Sequence, residues 1–160
     1  MSADAPLAMP FSRPVNVENL GEALLHFKLE ANEAQRRDVA SLLELIALDR
    51  LVAQLSVQRW RKRGIKIEGQ LSADVVQQCV VSLQPVPAHI EAPIVARFLP
   101  EAEVLAAEAE QSLEAYLNDP DDPPEPYDGK SVDIGGLVVE FLSLALDPYP
   151  RAPGAALSRQ

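Results

Sequence analysis

Aromatic side chains are scarce in this chain, with Phe 4, Tyr 3 and Trp 1 among 160 residues, so its core must be built mainly from Leu, Val, Ile and Ala. That suits a helical or a mixed fold. Cysteine is scarcer still: the single Cys79 has no partner for an intramolecular disulfide and by itself supplies no structural zinc site, which fits a reducing compartment. Its neighbours in VVQQCVVSL are apolar at alternate positions, so Cys79 reads as a small buried hydrophobe. Long apolar runs are missing as well. No stretch approaches the roughly 18 to 20 residues that span a bilayer, and MSADAPLAMPFSRP lacks the basic start and apolar run of a secretory signal. A soluble cytoplasmic protein with no membrane partner is expected.

Groups that carry catalysis are also few. His26 and His89 lie on separate strand-like runs with no Cys or carboxylate at ligand spacing, so no metal is expected. There is no G-x-S-x-G, no phosphate-cradling glycine loop and no dinucleotide fingerprint. Gly135-Gly136 ahead of a helix offers an anion its N-terminus, but Asp133 beside it opposes one, and a structural joint is the better reading. Carboxylate pairs such as Asp121-Asp122 fall in a Pro/Asp-rich tract where nothing would shift their pKa values. The expectation is a non-enzyme with no cofactor.

Charge is present but uneven. The net charge is -10, yet residues 1–99 carry 11 Lys/Arg and 11 Asp/Glu, while residues 100–160 carry 3 and 13. The whole excess therefore belongs to the C-terminal third. Within the neutral part, Arg50, Arg59, Arg61, Lys62, Arg63 and Lys66 share a 17-residue window with no acid. An acidic total does not cancel such a patch, because a polyanion responds to the field within about 8 Å at physiological salt.

At the centre of that window, QRWRKRG (Gln58 to Gly64) sets four cations around the only tryptophan. Lys and Arg neutralise phosphates with release of counterions, and an indole face offers base stacking worth about 1–3 kcal/mol. Two readings stay open. Arg59, Trp60, Arg61, Lys62, Arg63 and Lys66 form an RNA contact, or the segment is a soluble turn with Trp60 folded back onto a sheet.

Periodicity places the elements. Phe11–Val17 reads as a short edge strand, since Pro14 cannot donate to a ladder. Leu25–Glu30 alternates apolar with polar residues, as a half-buried strand does. Asn32 with Gln35 three residues on is a capping-box signature, and Val39, Leu42, Leu43 and Ile46 extend a helical stripe, predicting a helix over 33–47. Leu51, Ala53, Leu55 and Val57, then Ile65, Ile67 and Leu71, alternate on either side of QRWRKRG. They predict a hairpin with the basic segment at its tip and Gly64 in the positive-φ position. Val75–Leu83 and, after a Pro85-Val86-Pro87 turn, Ala88–Leu99 add two further strands. The fold expected is α+β: a mainly antiparallel, partly barrel-like sheet, a covering helix near 33–47 and a C-terminal helix near 136–146 stopped by Asp147-Pro148. Residues 1–160 are expected to form one domain. Residues 100–131 are too acidic and Pro-rich to bury much apolar surface, so a disordered insertion is expected there, with a transient helix at 102–116, and a flexible tail from 152.

Two blocks are more specific. VQQCVVSLQPV (Val76–Val86) and VDIGGLVVEFLSLALDPYPR (Val132–Arg151) together resemble the YceD family, the large ribosomal RNA subunit accumulation proteins, with support from Leu29–Leu45 and Glu68–Ala73. The resemblance implies a bacterial cytoplasmic factor supporting accumulation of large-subunit (23S) rRNA, by binding precursor rRNA or an assembling large subunit. It implies no catalytic mechanism. Some members carry a second Cys where this chain has Ser82, so no metal or redox role is carried over to Cys79. The motif residues Cys79, Leu83, Pro85, Asp133, Leu144, Pro148, Tyr149, Pro150 and Arg151 read as mostly structural, with Cys79, Val81 and Leu83 on one strand face. Tyr149 and Arg151 are either a docking surface or part of a rigid helix stop. An alternative partner is a basic ribosomal protein bound through the acidic tract.

Overall fold

Apolar residues spaced by two build strands here, and those spaced by three and four build helices. In chain order these are β1 (Pro14–Asn16), β2 (Leu25–Glu30), α1 (Glu33–Leu42), β3 (Ala47–Trp60), β4 (Gly64–Gln78), β5 (Pro85–Pro100), α2 (Glu101–Glu110), β6 (Glu125–Tyr127), β7 (Ser131–Asp133) and α3 (Ile134–Ala145). The computed structural model describes residues 10–110 and 124–151. β2 to β5 form an antiparallel meander, β6 adds parallel to β5, and β1 pairs with β7 in a separate two-stranded ribbon. The fold is α+β as expected. The five-stranded sheet is open, however, with β2 and β6 as its edges, so the partial barrel is not formed: those short strands lie on opposite sides of three long ones and never meet to close the ladder.

One face of the sheet holds the core. Leu51, Ala53, Leu55 and Val57 of β3, Ile65, Ile67, Leu71 and Val75 of β4 and Ile94 of β5 are all buried in one cluster with Val39 of α1 and Val138 and Leu142 of α3. Each Leu, Ile or Val among them contributes about 1.5–3 kcal/mol on leaving water. Pleating sends the intervening residues to the other face, where Gln54, Ser56, Gln58, Lys66, Glu68 and Gln70 stay partly or fully exposed.

Several local expectations change in the folded chain. The capping box forms as predicted, Asn32 Oδ1 accepting from the Gln35 amide at 2.8 Å and Gln35 Oε1 from the Asn32 amide at 2.9 Å. But α1 stops at Leu42 rather than near 47, because Glu44 turns left-handed (φ 60°) and the Leu45 and Glu44 amides bond back to Ala40 and Ser41. That is a Schellman stop with a carboxylate side chain where glycine is usual. Ile46, predicted to face the core, is instead 51% exposed. Glu44→Gly is expected to raise stability by about 1 kcal/mol by removing the left-handed strain, read as a higher urea midpoint at unchanged slope.

Similarly β4 ends at Gln78, and Cys79 to Gln84 form a turn in which the Cys79 amide bonds the Gln84 carbonyl. The prolines 85 and 87 open β5 instead of making that turn. Both ends of the acidic tract are structured, in α2 and β6; residues 111–123, and the tail from 152, lie outside the described residues. The helix predicted at 102–116 is found over Glu101–Glu110.

Candidate nucleic-acid interface

The β3–β4 hairpin closes through the Trp60↔Gly64 pair, leaving Arg61, Lys62 and Arg63 as a three-residue loop. Positive φ falls on Arg61 (58°), not on Gly64 as predicted. Gly64 is needed for close approach: a Cβ there would lie 2.6 Å from the Trp60 carbonyl oxygen and 2.8 Å from that of Phe98.

The pleat then divides the basic segment between two faces. Arg59 continues the core-facing row, and its guanidinium is tied down, Nη2 donating to the Val17 carbonyl at 2.7 Å and Nη1 to that of Gly64 at 3.5 Å. Trp60 points the other way. Its half-buried ring lies 4.3 Å from the Arg61 guanidinium carbon and 5.0 Å from that of Arg97, distances at which a cation and an indole attract. Lys66 sits on the same face opposite Arg97 in the β4–β5 register and reaches Glu68 at 3.4 Å. Trp60, Arg61, Lys66 and Arg97 thus form one cationic, aromatic patch at the hairpin end of the exposed face. Arg63 pairs with Glu103 of α2 at 3.5 Å, and its carbonyl accepts from the Tyr127 hydroxyl at 2.8 Å. Lys62 is exposed and makes no ion pair among the described residues.

Sequence reasoning missed Arg97. It lies 31 residues from Lys66 in a run, PIVARFLP, that reads simply as a strand, and only the β4–β5 register brings it beside Trp60. The one available signal was a lone cation at an alternate position of an apolar strand.

At the opposite end of this face the charges balance. His89 bridges Asp74 (Nδ1 to Oδ1, 2.6 Å) and Glu91 (Nε2 to Oε2, 3.0 Å), and these two acceptors hold its pKa above the ordinary 6.5. With both ring nitrogens facing carboxylates, the charged form is favoured. Because the folded pKa is the higher one, the stabilisation is complete below about 6.5 and is lost as pH rises through the folded value. His89 is expected to titrate above pH 6.5 by NMR, and Glu91→Gln, removing the larger cause, is expected to bring the midpoint down.

The two family-like blocks meet about 45 Å of strand away from the hairpin tip, at the far end of β4. Gln77 Nε2 donates to the Asp147 carbonyl at 2.9 Å, and the Val80 amide to that of Pro150 at 2.9 Å. Cys79 is buried, and its sulfur accepts from the Val81 and Ser82 amides at 3.4 and 3.2 Å. Cys79, Val81 and Leu83 therefore do not share a strand face: they form a turn in which Leu83 is left-handed and exposed. Pro85 starts β5, and Asp133 caps α3. Leu144 and Tyr149 are exposed, at 74% and 70%. Pro148 and Arg151 are exposed, and Pro150 is buried against the Cys79 turn. Among the described residues no three of His, Cys, Asp and Glu are grouped to hold a metal ion, and no helix is long and apolar enough to cross a membrane.

A model of the family described as large ribosomal RNA subunit accumulation protein YceD matches residues 67–159. The matched span covers the Cys79 turn and α3 but begins just after the basic hairpin tip. No curated protein and no solved structure matches the chain.

Proposed function

Since the chain belongs to the YceD family, large ribosomal RNA subunit accumulation proteins, with more than half of its residues matched, we propose that it supports accumulation of large-subunit rRNA as a non-catalytic, cytoplasmic binding factor. It holds precursor rRNA, or rRNA in an assembling large subunit, on the exposed end of its sheet. The observation that carries this reading is the Trp60 patch. An indole with Arg61 and Arg97 within 5.0 Å of its centroid, and with Lys66 beside them, combines a stacking face with cations that neutralise phosphate. The total of -10 does not oppose this, because a polyanion responds to the field within about 8 Å at physiological salt.

The roles divide by residue. Trp60 takes a base; Arg61 and Lys66 take phosphates; Arg97, nearly buried, orients the indole. Arg59 is not part of this patch, since it lies on the other side of the sheet, anchored there by its bonds to the Val17 and Gly64 carbonyls. The test is binding of the full chain to precursor large-subunit rRNA fragments, followed by Trp60 fluorescence over a salt series. Salt-dependent quenching is expected. Tight binding to basic ribosomal proteins with none to rRNA would replace this reading with a protein-interaction role for the acidic tract.

A further inference from the structure

The cations that the pleat turns away from Trp60 converge as well. Arg59, Lys62 and Arg63 line an open cleft of about 380 Å³ whose other walls are the β1–β2 turn, with Glu18, and the β6–β7 turn, with Tyr127 and Gly129. These walls come from three distant parts of the chain. They are clipped together by the Val17 amide donating to the Lys130 carbonyl at 2.8 Å and by the Tyr127 hydroxyl donating to the Arg63 carbonyl.

The cleft is built for an anion. Arg59 is already immobilised by its bonds to Val17 and Gly64, so its charge is offered without further ordering cost. Gly129, at φ 83°, has a backbone conformation that L side chains rarely adopt, and a Cβ there would make only an ordinary contact with Arg63 Nη2, at 3.8 Å. Asp128 stays ionised, the Ser131 and Lys130 amides at 2.9 and 2.7 Å from its Oδ1 holding its carboxyl below the usual range, but it does not line the cleft. Three cations then face one carboxylate, Glu18. The Arg63–Glu103 pair at 3.5 Å is between exposed side chains, 68% and 38%, and competes weakly with an incoming anion. The volume suits a phosphate with its sugar.

We infer that this cleft seats a ribose-linked phosphate, on the side of the hairpin opposite Trp60. An RNA strand stacked on Trp60 would then pass round the tip and be held from both faces. The inference rests on the RNA reading only for the source of the phosphate, not for the site.

The experiment is a two-dimensional amide NMR titration of the full chain with uridine 3′-monophosphate, with the dinucleotide UpU and with uridine, at constant ionic strength. Saturable shifts centred on Gly21, Lys62, Arg63 and Gly129 are expected with the two phosphate probes and not with uridine. Tighter binding of UpU than of the monophosphate assigns the seat to a backbone phosphodiester; the reverse order assigns it to a strand end. Lys62→Ala is expected to weaken the phosphate probes about tenfold, as the loss of one charged contact does, and Glu18→Gln to tighten them. Both side chains are exposed, so neither change threatens the fold. Uridine shifting the same amides, phosphate probes shifting none of them, or indifference of their binding to both substitutions overturns the inference. If the phosphate probes bind the cleft while precursor rRNA leaves Trp60 unquenched, the RNA reading fails and the phosphate seat stands.

Discussion

Trp60→Leu is expected to weaken the proposed binding to precursor large-subunit rRNA by about 1–3 kcal/mol, roughly 5- to 150-fold, at every salt concentration, because stacking on one indole is lost while the phosphate contacts remain. Arg61→Ala with Lys66→Ala is expected to behave differently. Two phosphate contacts disappear, so the slope of log affinity against log salt falls in magnitude by about 1.4 on single-stranded RNA, and the difference from wild type is largest at low salt. Binding can be read by filter retention or fluorescence anisotropy of labelled RNA, which keeps working when Trp60 is absent. The separation of the two effects is what identifies the patch. If Trp60→Leu and the double variant both bind as wild type does, QRWRKRG is only a soluble turn and the function lies elsewhere on the molecule.

Gly135→Ala is expected to lower stability by about 3 kcal/mol, the range of a backbone clash with no way to relax. A Cβ at 135 would overlap the Phe11 carbonyl oxygen and stand 2.9 Å from the Arg13 amide nitrogen. That segment is held rigidly: the Ile134 amide donates to the Arg13 carbonyl, and Asp133 accepts from the Arg13 amide at 2.7 Å and the Ser12 hydroxyl at 2.8 Å. Gly136→Ala supplies the contrast. Its Cβ would meet only the Asp133 carboxylate, at 3.0 Å, and alanine gains about 1 kcal/mol of helix propensity, so a change within about 1 kcal/mol is expected. Urea midpoints of the two variants decide it. Equal midpoints would mean that the N-terminal segment moves freely off α3.

Much of the fold was legible because it rests on local patterns. The capping box at Asn32 and Gln35 needs four residues, and the alternation from Leu51 to Leu71 fixes a hairpin before any partner strand is known. Element ends were read less well. Helix α1 ends before its sequence period does, since Ile46 continues that period and nothing local announces that Glu44 takes a left-handed conformation that glycine usually fills. The turn at Cys79 is hidden in the sequence because QQCVVSL alternates as a strand does. Its course is set by two amides donating to a sulfur and by Pro150, 71 residues away.

Period, capping chemistry and charge are carried by neighbours along the chain, and they are enough for an α+β chain with alternating strands, a basic hairpin tip and an acidic C-terminal third. The family resemblance is carried there too, in two blocks with 45 residues between them. Which cations belong together follows from how the strands pair. Pleating alternates adjacent side chains between faces, so Arg59 and Trp60 part company although they are consecutive, while Arg97 joins Trp60 through the register of β5 on β4. The same geometry draws Glu18, Lys62 and Gly129 around one cleft. Side-chain direction depends on the pairing of strands, which no single stretch of sequence contains.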